Sequence, residues 1–183
     1  FVLRSNLRYS ELTDDFGYIY LADNAATPET DRAYFGSDSE AEELIGNLML
    51  QYDKRFEYID SSTLLGVEYR DASTEDSSFY GAADPIDLAN PAYSGAPASL
   101  NVYAGNKQDY TTKSVFLQQN LSFSRFIVTA GVREDMLDLS STDIAGVKAS
   151  DDFSETSFRG SLTYMINDEI STYVSMVESV APP

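Results

Sequence analysis

The side chains best suited to chemistry in this sequence are its carboxylates. Asp and Glu number 30 against 12 Lys and Arg, a net charge of -18 at pH 7, and Cys and His are absent. The missing residues exclude disulfides, zinc–thiolate sites, cysteine nucleophiles and the usual general base. The adjacent acids Asp14-Asp15 and Asp151-Asp152 point apart on an extended chain, and neither pair has calcium-loop spacing. We interpret these acids as solvated loop charge, and we predict neither an enzyme nor a metal site.

The excess of negative charge also limits the partners. Phosphate binding needs a basic patch, so nucleic acid is excluded. The charge suits a cationic or metal-carrying ligand, or simply a soluble, loop-rich exterior. The sequence has no run approaching the roughly 18–20 apolar residues of a spanning helix. If the chain meets a membrane, we expect it to do so with strands.

Alternation of apolar and polar residues is the dominant pattern. At the start of the chain, Leu3, Leu7 and Tyr9 alternate with residues such as Arg4 and Arg8. An amphipathic strand produces this period of two, and a helix does not. Seven such segments are found: Phe1–Tyr9, Leu44–Tyr52, Leu64–Arg70, Ser114–Leu121, Phe126–Asp135, Ser157–Tyr164 and Ile170–Val177.

The connections between these strands alternate in length. The predicted short turns are Asp53–Glu57, Ser122–Arg125 and Ile166–Glu169. The predicted long polar loops are Thr13–Asp31, Asp76–Asp109 and Ser140–Asp152. An up-and-down membrane barrel is built this way, with short periplasmic turns and longer extracellular loops. A structureless loop of about thirty residues would count against a compact soluble domain.

The residue types do not by themselves decide what each face contacts. The apolar row suits lipid or a protein core equally well. The opposite row mixes both charge signs, for example at Glu68, Arg133 and Arg159, and suits either a wet barrel lumen or the exposed face of a soluble sheet. Aromatic residues near strand ends, such as Tyr52 and Tyr164, would suit the interface girdles of a barrel or the rim of a sandwich.

Six segments carry recognisable motifs in order along the chain: Thr63–Tyr69, Pro85–Tyr93 in the form DLxNPxY, Val115–Asn120, Phe126–Asp135, Phe158–Asn167 and Ser171–Pro182. Together they resemble the TonB-dependent ferric siderophore receptors, most closely the ferrichrome and other hydroxamate-type receptors. Departures from the family pattern include Asn120, Val132 and Glu134. No single motif is decisive, but their order and spacing along nearly the whole chain are specific.

The resemblance implies an all-β fold, an antiparallel up-and-down transmembrane β-barrel in the bacterial outer membrane. The family's barrel has about 22 strands around a plug domain. Residues 1–183 are therefore expected to form a partial barrel domain of about seven strands, with no plug. The implied partners are membrane lipid, a ferric siderophore of hydroxamate type as ligand, and a TonB complex that acts through a plug domain absent from this chain. No cofactor is implied.

The resemblance also implies four ligand-binding residues. Tyr18 and Tyr20 match the loop that offers two ligand-facing aromatics in ferrichrome-type receptors, and a spacing of two puts both rings on one face of an extended segment. Phe79 and Tyr80 match an aromatic pair followed by Gly, with Tyr80 at the ligand-facing position. The alternative is that these rings merely pack the loops together.

Two other functions stay open at this point. A passive outer-membrane channel would use the same strands and loops without plug or TonB. A soluble β-sandwich binding module would bury the apolar rows against a second sheet.

Overall fold

A computed structural model of the chain describes residues 1–22, 29–95, 97 and 99–179. These residues form one sheet whose strands are β1 (Val2–Leu21), β2 (Glu29–Arg55), β3 (Asp60–Asp87), β4 (Asn101–Phe123), β5 (Phe126–Asp143), β6 (Lys148–Met165) and β7 (Ser171–Val177). Each strand pairs antiparallel with the next, so the order in the sheet is the order in the chain. The predicted seven-stranded up-and-down topology is confirmed. In the part of the chain that is described, no helix is both long and apolar enough to cross a membrane.

The strands are much longer than the alternation predicted. β2 has 27 residues and β3 has 28, which at about 3.3 Å per residue far exceeds the roughly 9–11 residues needed to cross a bilayer. The predicted loop Thr13–Asp31 was therefore wrong in extent, because β1 continues to Leu21 and β2 begins at Glu29. Residues 23–28 of that loop lie outside the described residues, as do residues 180–182 of the last motif.

The other two predicted loops are also largely strand. Asp76–Asp109 shrinks to residues 88–100 between β3 and β4, and Ser140–Asp152 shrinks to residues 144–147 between β5 and β6. The latter is a tight turn, in which Asp143 Oδ1 accepts hydrogen bonds of 2.9 Å from the backbone N–H groups of Ala145 and Val147. Gly146 supplies the positive φ of 79° that this turn requires. The polar composition of these two segments predicted loops, but strands that extend beyond the membrane also carry polar residues.

One face of the sheet is apolar and uncovered. Leu3 and Leu7 on β1 are 66% and 74% exposed, and β5 and β6 place Val128 opposite Leu162 and Val132 opposite Phe158. Among the described residues no large side chain is fully buried. A soluble sandwich would cover such a face with a second sheet, and the described strands all belong to one sheet. This face, which carries Leu3, Leu7 and their cross-strand partners, is called the apolar face.

The opposite face carries networks of ion pairs and is called the charged face. On it, Glu43 accepts hydrogen bonds from Arg8 at 2.7 Å and from Arg70 at 2.6 Å. Further along the sheet, Arg133 contacts Glu68 at 2.9 Å and Asp135 at 2.8 Å. Because acidic and basic side chains pair with one another across neighbouring strands, this face needs no apolar cover.

Candidate ligand-binding site

Five aromatic rings gather at the end of the sheet that lies away from the short turns. Tyr18 lies 5.6 Å from Phe16, 5.6 Å from Phe35 and 5.7 Å from Tyr20, measured between ring centroids. Phe35 lies 6.4 Å from Phe16 and 6.5 Å from Tyr103. These separations are those of favourable tilted and edge-on aromatic pairs. Phe16, Tyr18, Tyr20, Phe35 and Tyr103 are called the aromatic cluster.

The aromatic cluster belongs to the charged face. Alternate residues of a strand share a face, and the register between β1 and β2 runs without a bulge from Val2 to Leu21. Tyr18 and Tyr20 therefore lie on the same side as Arg8. Phe35 lies there too, because it is the cross-strand partner of Tyr18. The rings are accessible, since Tyr18 is 48% and Tyr20 39% exposed.

The structure brings together three of the four predicted ligand residues. Phe35 is paired with Tyr18 on one side and with Tyr80 on the other, so that Tyr18, Phe35 and Tyr80 form one cross-strand row. Phe79 is paired with Gly36 instead and, by alternation, points to the opposite face. Tyr80 is 45% exposed on the side of the aromatic cluster.

Sequence reasoning missed Phe16, Phe35 and Tyr103. Phe16 lies two residues before Tyr18, which is the same spacing that places Tyr18 and Tyr20 on one face. Phe35 and Tyr103 stood within or beside predicted loops, where alternation assigns no face. Only the folded structure shows that Phe35 meets the rings of β1 and that Tyr103 meets Phe35.

Arg32 is the basic residue nearest to the aromatic cluster along the chain, but its charge is used inside the protein. The residue is only 6% exposed. Its Nε donates to the Asp84 carbonyl oxygen at 2.6 Å and its Nη2 to Ser94 Oγ at 3.0 Å. Arg32 therefore ties the end of β3 and the segment after it to β2, and it is not presented to a ligand on the charged face.

The described residues offer no metal site. They contain no group of three or more Asp or Glu side chains that could hold a metal ion. Asp14 and Asp15 are consecutive residues of β1, paired with Ser39 and Asp38 respectively, so that their side chains lie on opposite faces. What the aromatic cluster offers is ring faces and phenolic hydroxyls, which serve binding and not bond breaking.

A single up-and-down antiparallel sheet with an uncovered apolar face and a charged opposite face defines the wall of an outer-membrane β-barrel. A family model described as "TonB dependent receptor-like, beta-barrel" matches residues 1–183, and the chain belongs to this family. The apolar face is accordingly the lipid-facing side and the charged face the lumen-facing side. The soluble sandwich is thereby excluded, and the predicted fold and outer-membrane location are confirmed.

Relatives and solved structures agree with this family. The chain is 27% identical over 181 residues to the ferrioxamine B receptor of Salmonella typhimurium strain SL1344, covering 98% of this chain and 26% of that protein. It is 26% identical over 216 residues to the ferrichrome outer membrane transporter/phage receptor of Escherichia coli K12, covering 100% of this chain and 28% of that protein. The open form of the ferric-catecholate import receptor Fiu from E. coli K12 has the same fold, with a TM-score of 0.76 and 14% identity, covering 99% of this chain and 33% of that one.

The chain thus spans about a quarter of the length of the curated relatives it matches. Those relatives are named as receptors and transporters and not as enzymes, in agreement with the prediction from the missing catalytic residues. In barrels of this kind the longer connections are extracellular. The aromatic cluster therefore lies on the lumen wall towards the extracellular mouth.

Proposed function

We propose that this chain forms part of an outer-membrane receptor that binds a ferric siderophore at the barrel mouth and admits it to the cell. The observation that carries the proposal is the accessible aromatic cluster on the lumen side of the extracellular end. The names of the relatives, a ferrioxamine B receptor and a ferrichrome transporter, support the same ligand class.

Recognition of such a ligand needs no catalysis. A ferric siderophore presents an organic shell around a metal already held by oxygen atoms, so a receptor has only to match its surface. Tyr18, Tyr20 and Tyr80 offer ring faces for that shell and hydroxyl groups that can donate to its oxygens. Phe16, Phe35 and Tyr103 hold the neighbouring rings in place through the contacts described above.

Passage through the lumen is proposed to draw energy from a TonB complex acting through a plug domain. Membership of a TonB-dependent family supports this proposal. The charged lumen face, with its Arg8–Glu43–Arg70 and Glu68–Arg133–Asp135 networks, is a wall on which a polar plug could pack. The rival function, a passive channel, predicts uptake that persists in cells lacking TonB.

The test uses the full-length receptor with Tyr18→Ala and Tyr20→Ala combined. We expect the affinity for a ferric tris-hydroxamate to fall by about tenfold or more, because aromatic side chains that a ligand covers carry much of the binding energy. Binding is measured by quenching of intrinsic tyrosine fluorescence. The matched control is Tyr58→Ala, which removes an exposed tyrosine between β2 and β3, at the opposite end of the sheet. Unchanged affinity in the double variant would remove the proposed site.

A further inference from the structure

We propose that this wall selects ferric siderophores whose complexes are neutral or cationic and disfavours anionic ones. The inference rests on the proposed function and deepens it by assigning the charge class of the ligand. It is carried by the placement of carboxylates and basic residues around the aromatic cluster.

A row of polar side chains crosses the lumen face directly below the aromatic cluster. Asp14 is paired with Ser39, Ser39 with Asp76, and Asp76 with Asn106 across consecutive strands. Asp14 lies two residues before Phe16, so the row is the next one on the same face. Ser39 donates a hydrogen bond to Asp76. A ligand seated on the rings would therefore meet two carboxylates as it moved inward.

Basic residues in the extracellular half of the strands point away from this path. Lys107 is paired with Glu75 and lies 3.7 Å from it, and by alternation both belong to the lipid-facing side of the sheet. Lys113, the partner of Tyr69, lies 3.9 Å from Asp138 on that same side. Lys148 shares a row with Lys107 through Thr142.

The remaining cations do not alter this picture. Arg32 is buried and bonded to Asp84 and Ser94. Arg8, Arg70 and Arg133 lie nearer the short turns, in ion pairs with Glu43, Glu68 and Asp135. The other five also lie towards the short turns; they are Arg4, Lys54, Arg55, Arg125 and Arg159. The sequence has 12 Lys and Arg in all, and none falls at residues 23–28, 96, 98 or 180–183. The mouth end of this lumen wall therefore presents carboxylates and aromatic rings but no unpaired cation.

The net charge of a ferric siderophore depends on the groups that bind the iron. A catecholate binds iron after losing both protons and a hydroxamate after losing one, so the ferric tris-catecholate is anionic and the ferric tris-hydroxamate neutral. Charges within about 8 Å of each other are only partly screened at physiological ionic strength. The carboxylate row repels the anionic complex, whereas the ring faces and the carboxylates both attract a pendant ammonium group.

The experiment compares three ferric complexes on the full-length receptor. They are a neutral tris-hydroxamate, a tris-hydroxamate with one pendant ammonium group, and a tris-catecholate. We expect the cationic complex to bind most tightly and the anionic one least. Replacing both lumen carboxylates, Asp14→Asn with Asp76→Asn, should weaken the cationic complex and strengthen the anionic one, each by about three- to tenfold.

The matched control is Asp15→Asn with Asp38→Asn. It removes the same charge from a directly paired position on the lipid-facing side. It should leave the order and the affinities unchanged. Equal shifts in affinity for the two double variants would mean that net charge acts and not this row, and that result overturns the proposal. The proposal is also overturned if the wild-type receptor binds all three complexes with the same affinity.

The two failures are distinguishable. If the neutral complex binds and Tyr18→Ala with Tyr20→Ala abolishes its binding, but ligand charge has no effect, the proposed function stands and charge selection is overturned. If none of the three complexes binds the wild-type receptor, both proposals are overturned.

Discussion

Tyr18 and Phe35 are cross-strand partners whose ring centroids lie 5.6 Å apart. Phe35 is at the same time the partner of Tyr80 on the next strand. This single row joins two candidate segments that are about sixty positions apart in the sequence. The pairing of β1, β2 and β3 is therefore what assembles the candidate site.

Tyr80→Ala and Phe79→Ala should differ, although the two residues are neighbours. We expect Tyr80→Ala to lower the affinity for a ferric tris-hydroxamate by about three- to tenfold, because its ring shares the face of the aromatic cluster. Phe79→Ala should leave affinity unchanged, since that side chain points to the other face. Fluorescence titration of the two full-length variants measures this. Equal losses would contradict the face assignment.

Gly66→Ala should destabilise the barrel. An added Cβ at Gly66 would lie 2.2 Å from Cζ of Phe116, whose ring covers the glycine. Displacing a packed ring costs about 1–3 kcal/mol. The free energy of unfolding of the full receptor in urea is the measurement.

The control for this prediction is Gly46→Ala. A Cβ there would meet only Leu7 Cδ1, at an ordinary 3.5 Å. We expect a change within about 1 kcal/mol, in the stabilising direction, because alanine loses less backbone entropy than glycine on folding. A larger loss at Gly46 than at Gly66 would show that crowding by Phe116 is not the cause.

Leu7→Arg and Asn6→Arg test which face meets lipid. Leu7 lies on the apolar face and is 74% exposed, while Asn6 lies on the charged face beside Arg4 and Arg8. A lipid-facing arginine costs about 2–4 kcal/mol near the membrane midplane, and a lumen-facing one has no such penalty. Folding of the full receptor into lipid vesicles gives both values. A greater loss for Asn6→Arg would reverse the assignment of the faces.

The sequence predicted the fold most accurately where the two faces have different surroundings. In Phe126–Asp135 and Ser157–Tyr164, one side meets lipid and the other the lumen, so apolar and polar residues must alternate. That requirement indicated the strands and their number. The up-and-down order was inferred from the lengths of the connections between them. The motif resemblance added the family and pointed to Tyr18, Tyr20, Phe79 and Tyr80.

Alternation is lost where both faces meet water. Thr13–Leu21 and Asp76–Asp87 mix acidic, small and aromatic residues on both sides. Neither side forms a consistent apolar row, so these segments were predicted as loops although they continue β1 and β3. Backbone hydrogen bonds across the ladder hold these segments extended, and such bonds leave no pattern in side-chain type. The turn at residues 144–147 was hidden for the same reason.

The sequence by itself therefore determined an amphipathic barrel wall, because exposure to lipid constrains residue type at every second position. Its motifs, in their order and spacing, indicated the family. Only the tertiary structure decided that Phe35 joins Tyr18 to Tyr80 and that Phe79 faces the other way. It also decided that Asp14 and Asp76 lie in one row of the lumen-facing side of these seven strands. These relationships depend on the register between strands. A shift of one residue would move every side chain of a strand to the opposite face. In the upper parts of the strands both faces mix polar and apolar residues, so no hydrophobic pattern in the sequence specifies the register there.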